Sequence, residues 1–222
     1  MKKIKRHLYQ HRFIWLFAAL VINFFLYEND SFSVLKAILK LFFIIMLTLT
    51  SANSIENAKK NTKQFFFFFG LVNIGLYVFL NWYQDSVEFE IAQFILLFLF
   101  FSVTFFNLLK QIFSSSEVKM EIIFGAFAGY MLLGIINFQL FGLLYLIIPE
   151  AFANISSIPI EAYQQLSYFS FTCLTTLGFG DVLPLHPLSQ KLAVFTAIEG
   201  QFYLTVVVAI LIARYLYKEK TL

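Results

Sequence analysis

The chain has 222 residues, 60% of them hydrophobic and only 13% charged, where soluble domains carry about a quarter charged residues, which argues against a water-soluble globule. The net charge of +3 gathers into no basic patch, so nucleic acid is not implied as a partner. The one cysteine, Cys173, excludes an intrachain disulfide and leaves no paired-cysteine pattern for zinc or redox chemistry.

Thirty-one phenylalanines and long uncharged runs make lipid the main solvent. A lipid core admits only helices or closed barrels, and runs of this length select helices. Hydropathy predicts six spans, centred on Ala19, Ile44, Asn73, Leu99, Gly134 and Val206, each near the ~20 residues that a ~30 Å hydrocarbon core requires. The first, about residues 12–28, follows Lys2, Lys3, Lys5, Arg6 and Arg12 as a secretory signal would. Bulky Phe24, Phe25 and Tyr27 stand where signal peptidase needs small residues, so an uncleaved helix is expected, with Arg12 snorkelling to the interface.

The loops alternate in sign. Glu28 and Asp30 follow the first span, Lys59, Lys60 and Lys63 the second, and Asp85, Glu88 and Glu90 the third. Lysine loops belong inside, and Lys119, Arg214, Lys218 and Lys220 agree, which places both termini in the cytoplasm. The fourth span, Ile91 to Leu109, carries no charge before Lys110. Moving one charge through 100 mV supplies only ~2.3 kcal/mol, so steep voltage sensing is not expected. Lys36 and Lys40, one turn apart in the second span, either pair with acids or snorkel outward.

Between the last two spans, residues 162–180 hold no charge but contain Gln164, Gln165, Ser167, Ser170, Thr172, Thr175 and Thr176. That is too polar to face lipid, and irregular backbone at membrane depth survives only where protein buries it or water lines it. The segment is therefore expected to enter and leave on one side. Pro159 and Glu161 suit the first turn of a helix over about residues 160–173, whose C-terminal dipole end favours a cation near the membrane centre. Just beyond, Gly178 and Gly180 can visit backbone regions denied to other residues and turn successive carbonyls the same way.

The run Tyr168-Phe169-Ser170-Phe171-Thr172-Cys173-Leu174-Thr175-Thr176-Leu177-Gly178-Phe179-Gly180-Asp181 resembles the pore-loop signature of the potassium channel superfamily. The resemblance extends over roughly residues 120–217. It includes Gly125-Ala126 and Tyr130-Met131-Leu132-Leu133-Gly134, and Glu199-Gly200-Gln201-Phe202-Tyr203-Leu204, which is similar to prokaryotic two-helix-type pores. It implies an all-α integral membrane subunit of six transmembrane helices plus a re-entrant pore helix and selectivity filter, assembled as a homotetrameric channel. The first four helices match the family only in number, so residues 1–115 are expected as a peripheral domain without gating charges. Residues 116–222 are the pore domain, with the pore loop at 151–184 and the inner helix at 190–216.

The same resemblance implies K+ coordination by Thr176, Leu177, Gly178, Phe179 and Gly180, whose carbonyls, with the Thr176 hydroxyl, replace the ion's water. Tyr168, Thr172, Thr175, Asp181 and Glu199 are expected to support the filter. Phe179 stands where most of the superfamily has tyrosine and loses a hydroxyl that could anchor the filter sideways. Thr172 stands where several relatives have a glutamate that bonds the filter aspartate, so Asp181 needs another partner, and Tyr168 is placed to donate. Gly200, twenty residues after Gly180, is either a hinge of the inner helix or a small residue for close packing. Gln201, Leu204 and Val208 are expected to line the cavity.

Glu199, a carboxylate deep in the last helix, either supports the filter, takes part in gating, or is a hydrogen-bonded structural acid. Cys173 is expected to pack behind the filter and His186 and Pro187 to shape the outer mouth. The sequons at Asn29 and Asn154 carry no functional weight. After Arg214 only a short stretch follows, so gating by an attached ligand domain is not expected. The expected function is passive K+ conduction in the plasma (inner) membrane, leak-like or filter-gated, with no enzyme chemistry and no cofactor beyond the permeant ion. Its partners are lipid and copies of itself. The alternatives are a nonselective cation channel and, further off, a small secondary transporter, for which no inverted repeat is visible.

Overall fold

A computed structural model describes residues 11–26, 68, 70–72, 75, 87–115 and 119–219. Its helices are α1 (Arg12–Leu26), α2 (Val87–Ser114), α3 (Met120–Ile147), α4 (Pro159–Leu174) and α5 (Pro187–Glu219). Helices α2, α3 and α5 are long and apolar enough to cross a membrane. At 1.5 Å per residue each exceeds the ~30 Å of a hydrocarbon core. They coincide with the spans expected around Leu99, Gly134 and Val206. The span around Ala19 is α1, 15 residues long. The span around Ile44 and most of that around Asn73, with Lys36, Lys40, Lys59, Lys60, Lys63 and the Asn29 sequon, lie outside the described residues.

The chain divides into two compact units, one of residues 1–84 and 103–129, the other of 85–102 and 130–222. In the first unit α1 presents Phe13, Leu16 and Leu20, at helical spacing, to its interior, and all three are buried. The Phe13 ring lies against Gly125 and Ile112, and Phe17 meets Phe124 and Phe127 at 5.6 and 6.1 Å. A His11–Glu121 contact of 3.2 Å ties the ends of α1 and α3. Arg12 holds its guanidinium over the Phe13 ring at 4.7 Å.

The second unit is built around α4. Phe141 of α3, Phe152 and Phe169 of α4 meet edge to face at 5.1–5.9 Å, with Leu166, Val182 and Ala151 completing a buried cluster. Such aromatic pairs add ~0.5–1.5 kcal/mol each beyond their area. Two short strands, β1 (Phe152–Ala153) and β2 (Leu183–Pro184), pair antiparallel with Phe152 opposite Pro184 and Ala153 opposite Leu183. The all-helical expectation did not include this ladder. It closes the segment between α3 and α5: the Ala151 carbonyl accepts from Leu185 N (2.9 Å), His186 N (3.3 Å) and Ser189 Oγ (2.8 Å). The segment therefore leaves next to where it entered.

Candidate functional site

Helix α4 begins one residue earlier and ends one residue later than its sequence predicts. Pro159 occupies its first turn, where a missing N–H costs nothing. Ser156 organises the approach: its N–H donates to Gln165 Oε1 (2.7 Å), its hydroxyl to Glu161, and its Oγ accepts from Ile158 N at 3.2 Å. At the other end Thr175 and Thr176 fold back onto the last turn, donating their N–H groups to the Phe171 and Cys173 carbonyls at 2.9 Å.

The strand that follows alternates in hand. Thr176, Gly178 and Gly180 have φ of 59°, 55° and 78°, whereas Leu177 and Phe179 between them stay on the negative side. Left-handed backbone at every second residue turns successive carbonyls toward one side of the chain. Glycine adopts it freely; Thr176, an L-residue branched at Cβ, is held there at a cost of ~1–2 kcal/mol. Gly178 N–H is anchored to the Thr172 carbonyl of α4 at 3.2 Å. Every residue from Thr176 to Asp181 is exposed in the single chain, including apolar Leu177 and Phe179 at 60% and 66%.

Around this strand the side chains are placed as follows. Tyr168 lies parallel to Phe179, 3° between planes and 6.3 Å between centroids, with Asp181 near its hydroxyl. Thr172 and Thr175 turn their hydroxyls onto their own helix, donating to the Phe169 (2.9 Å) and Phe171 (2.7 Å) carbonyls. Neither bond runs to Asp181. Gln201 of α5 donates to Thr176 Oγ1 at 3.3 Å, and Gln201, Leu204 and Val208 are all exposed. Cys173 is half-buried against the aromatic cluster. His186 Nδ1 accepts from Leu188 N at 3.2 Å, capping the start of α5.

Behind the strand, α5 meets the end of α4 at Gly200, where the Leu174 carbonyl occupies the place a side chain would take. That oxygen also accepts from the Tyr130 hydroxyl of α3 at 3.1 Å. At this point the two helices approach as closely as a residue without a side chain allows. One turn of α3 further on, Ser170 of α4 donates to the Gly134 carbonyl at 2.7 Å.

Glu199 turns toward α3. Its carboxylate accepts from Asn137 Nδ2 at 2.9 Å, and Asn137 Oδ1 accepts from the Thr196 hydroxyl at 3.0 Å. Asn137, 1% exposed, escaped the sequence reading. Its signal was available: an amide inside an apolar span needs a partner. Asn137→Ala is expected to destabilise the fold by about 1–3 kcal/mol, since Glu199 and Thr196 lose their common partner. The check is the thermal unfolding midpoint of detergent-purified protein, and an unchanged midpoint would mean that other groups serve Glu199.

The strand, its anchor on α4 and its backing by α3 and α5 all fall within one stretch of chain. Residues 134–217 match the ion-channel family model. No curated protein and no solved structure matches the chain. The matched stretch spans the second half of α3, all of α4 and all but the last two residues of α5. A helical, membrane-spanning protein conducting ions passively is what the match supports, a process that makes and breaks no covalent bond. Among the described residues no group of three His, Cys, Asp or Glu side chains lies close enough to hold a metal.

Proposed function

We propose that the chain is one subunit of a potassium-selective channel in the plasma (inner) membrane, four copies closing a ring around Thr176–Gly180. The observation that carries this reading is the alternation of left-handed backbone at Thr176, Gly178 and Gly180, within the stretch that matches the ion-channel family. A dehydrated cation needs oxygens on all sides. One strand offers them from one side only, so several strands must face an axis, and a closed ring of identical chains supplies them. The uncovered Leu177 and Phe179 and the exposed Gln201, Leu204 and Val208 are the surfaces such a ring would use for packing and for a central cavity.

In this reading the Thr176 hydroxyl, held by Gln201, forms the innermost oxygen ring, and Tyr168 braces Asp181 and Phe179 at the outer end. Both termini lie in the cytoplasm. Conduction is leak-like or gated at the filter, since α2 has no basic residue between Val87 and Leu109 to sense the field. Liposomes holding the purified protein and loaded with KCl test it: with a protonophore present, K+ efflux into a medium whose only cation is the bulky, impermeant N-methylglucamine is expected to drive proton uptake. Replacing internal K+ by Na+ is expected to abolish uptake. Equal uptake with either ion would identify a nonselective cation channel.

A further inference from the structure

Helix α4 is held along its length, by Gly134 and Tyr130 of α3 near its end and by α2 near its start. Near its start the Tyr163 hydroxyl donates to Glu90 of α2 at 2.9 Å. One turn along α2, Phe94 lays its ring against Tyr163 at 5.3 Å and Phe138 at 6.0 Å, filling the space that Gly142 leaves open on α3. Tyr145 of α3 meets Tyr163 edge-on at 6.1 Å. This end of α2, residues 87–102, belongs to the same compact unit as α4. Tyr163 and Thr175 stand twelve residues apart, about 18 Å along a rigid helix, so a shift at Tyr163 is carried to the base of the filter strand.

We infer that Glu90 is a positioning residue for the filter: through Tyr163 it fixes the start of α4, and so α2 sets how long the filter stays conductive. The inference rests on the channel reading and gives the helix ahead of the pore a task that needs no gating charge. The bond carries the control, and the Phe94 contacts keep the two helices in register while it breaks and reforms.

The test is a double-mutant cycle on the full-length channel in planar bilayers. Tyr163→Phe and Glu90→Ala are each expected to shorten single-channel conducting bursts by about threefold to tenfold, and the double variant by no more than the larger single effect. Glu90→Gln keeps an acceptor oxygen and is expected to restore wild-type bursts, with the reversal potential unmoved throughout. Multiplying effects in the double variant, or unchanged bursts in both singles, overturn the inference. Amide hydrogen exchange over residues 159–166 of the purified protein reads the same bond without current. It is expected to quicken in Tyr163→Phe and to stay at the wild-type rate in Glu90→Gln, and an unchanged rate in Tyr163→Phe also overturns the inference. A wild-type current without K+ selectivity would sink the proposed function alone, since neither burst cycle nor exchange depends on selectivity.

Discussion

Gly178→Ala is expected to abolish K+-selective flux while leaving the protein folded and membrane-inserted. Among the described residues, Gly178's chain neighbours apart, no atom lies within 4 Å of where the new methyl would sit, so within one chain the substitution has no steric cost. Its cost is conformational: φ at Gly178 is 55°, and an L-residue there costs ~1–2 kcal/mol, in the proposed ring once in each of four subunits. A flip of the neighbouring peptide relieves that strain and swings one carbonyl of every subunit off the axis. The liposome assay should show at least about a tenfold loss of K+ efflux, since each ~1.4 kcal/mol is a factor of ten. Unaltered efflux would mean that this backbone does not coordinate the permeant ion.

Gly200→Ala is expected to act by the opposite physics. Gly200 has ordinary helical backbone, but the Leu174 carbonyl fills the position of its missing Cβ, and a backbone oxygen already bonded to Tyr130 cannot swing away as a long side chain would. Helix α4 must retreat from α5, breaking the Tyr130–Leu174 bond and loosening the Tyr130–Tyr203 ring contact at 5.7 Å. Overpacking of this kind costs ~1–3 kcal/mol. The thermal midpoint is expected to fall, together with conduction. A hinge predicts otherwise: gating would change while the midpoint held.

Much of the fold around the proposed filter was legible because it rests on composition. The uncharged runs of α2, α3 and α5 announce themselves by length, and the polar but charge-free residues 162–180 can be neither lipid-facing helix nor ordinary loop. Pro159 and Glu161 mark the start of α4 by chemistry local to one turn. What was not legible depends on contacts across the chain. Asn137 and Glu199 are 62 residues apart, and nothing in either span's pattern names the other as partner. The β1–β2 ladder is two residues long on each side, too short for an alternation to show. Thr176 in left-handed backbone runs against its own residue preference, held there by the Cys173 carbonyl that takes its N–H.

At the site, the resemblance gave Glu199 and Thr172 places but not hydrogen-bond partners, because a side chain's partner is set by which way the helix turns. Glu199 faces Asn137 of α3, and Thr172 spends its hydroxyl on the Phe169 carbonyl. Tyr168, midway along α4, lies parallel to Phe179 of the returning segment.

The reversal potential of purified protein in planar bilayers, with K+ on one side and Na+ on the other, tests the central claim most directly. A reversal close to the K+ equilibrium potential is the predicted result, and a sustained current reversing near zero would contradict it.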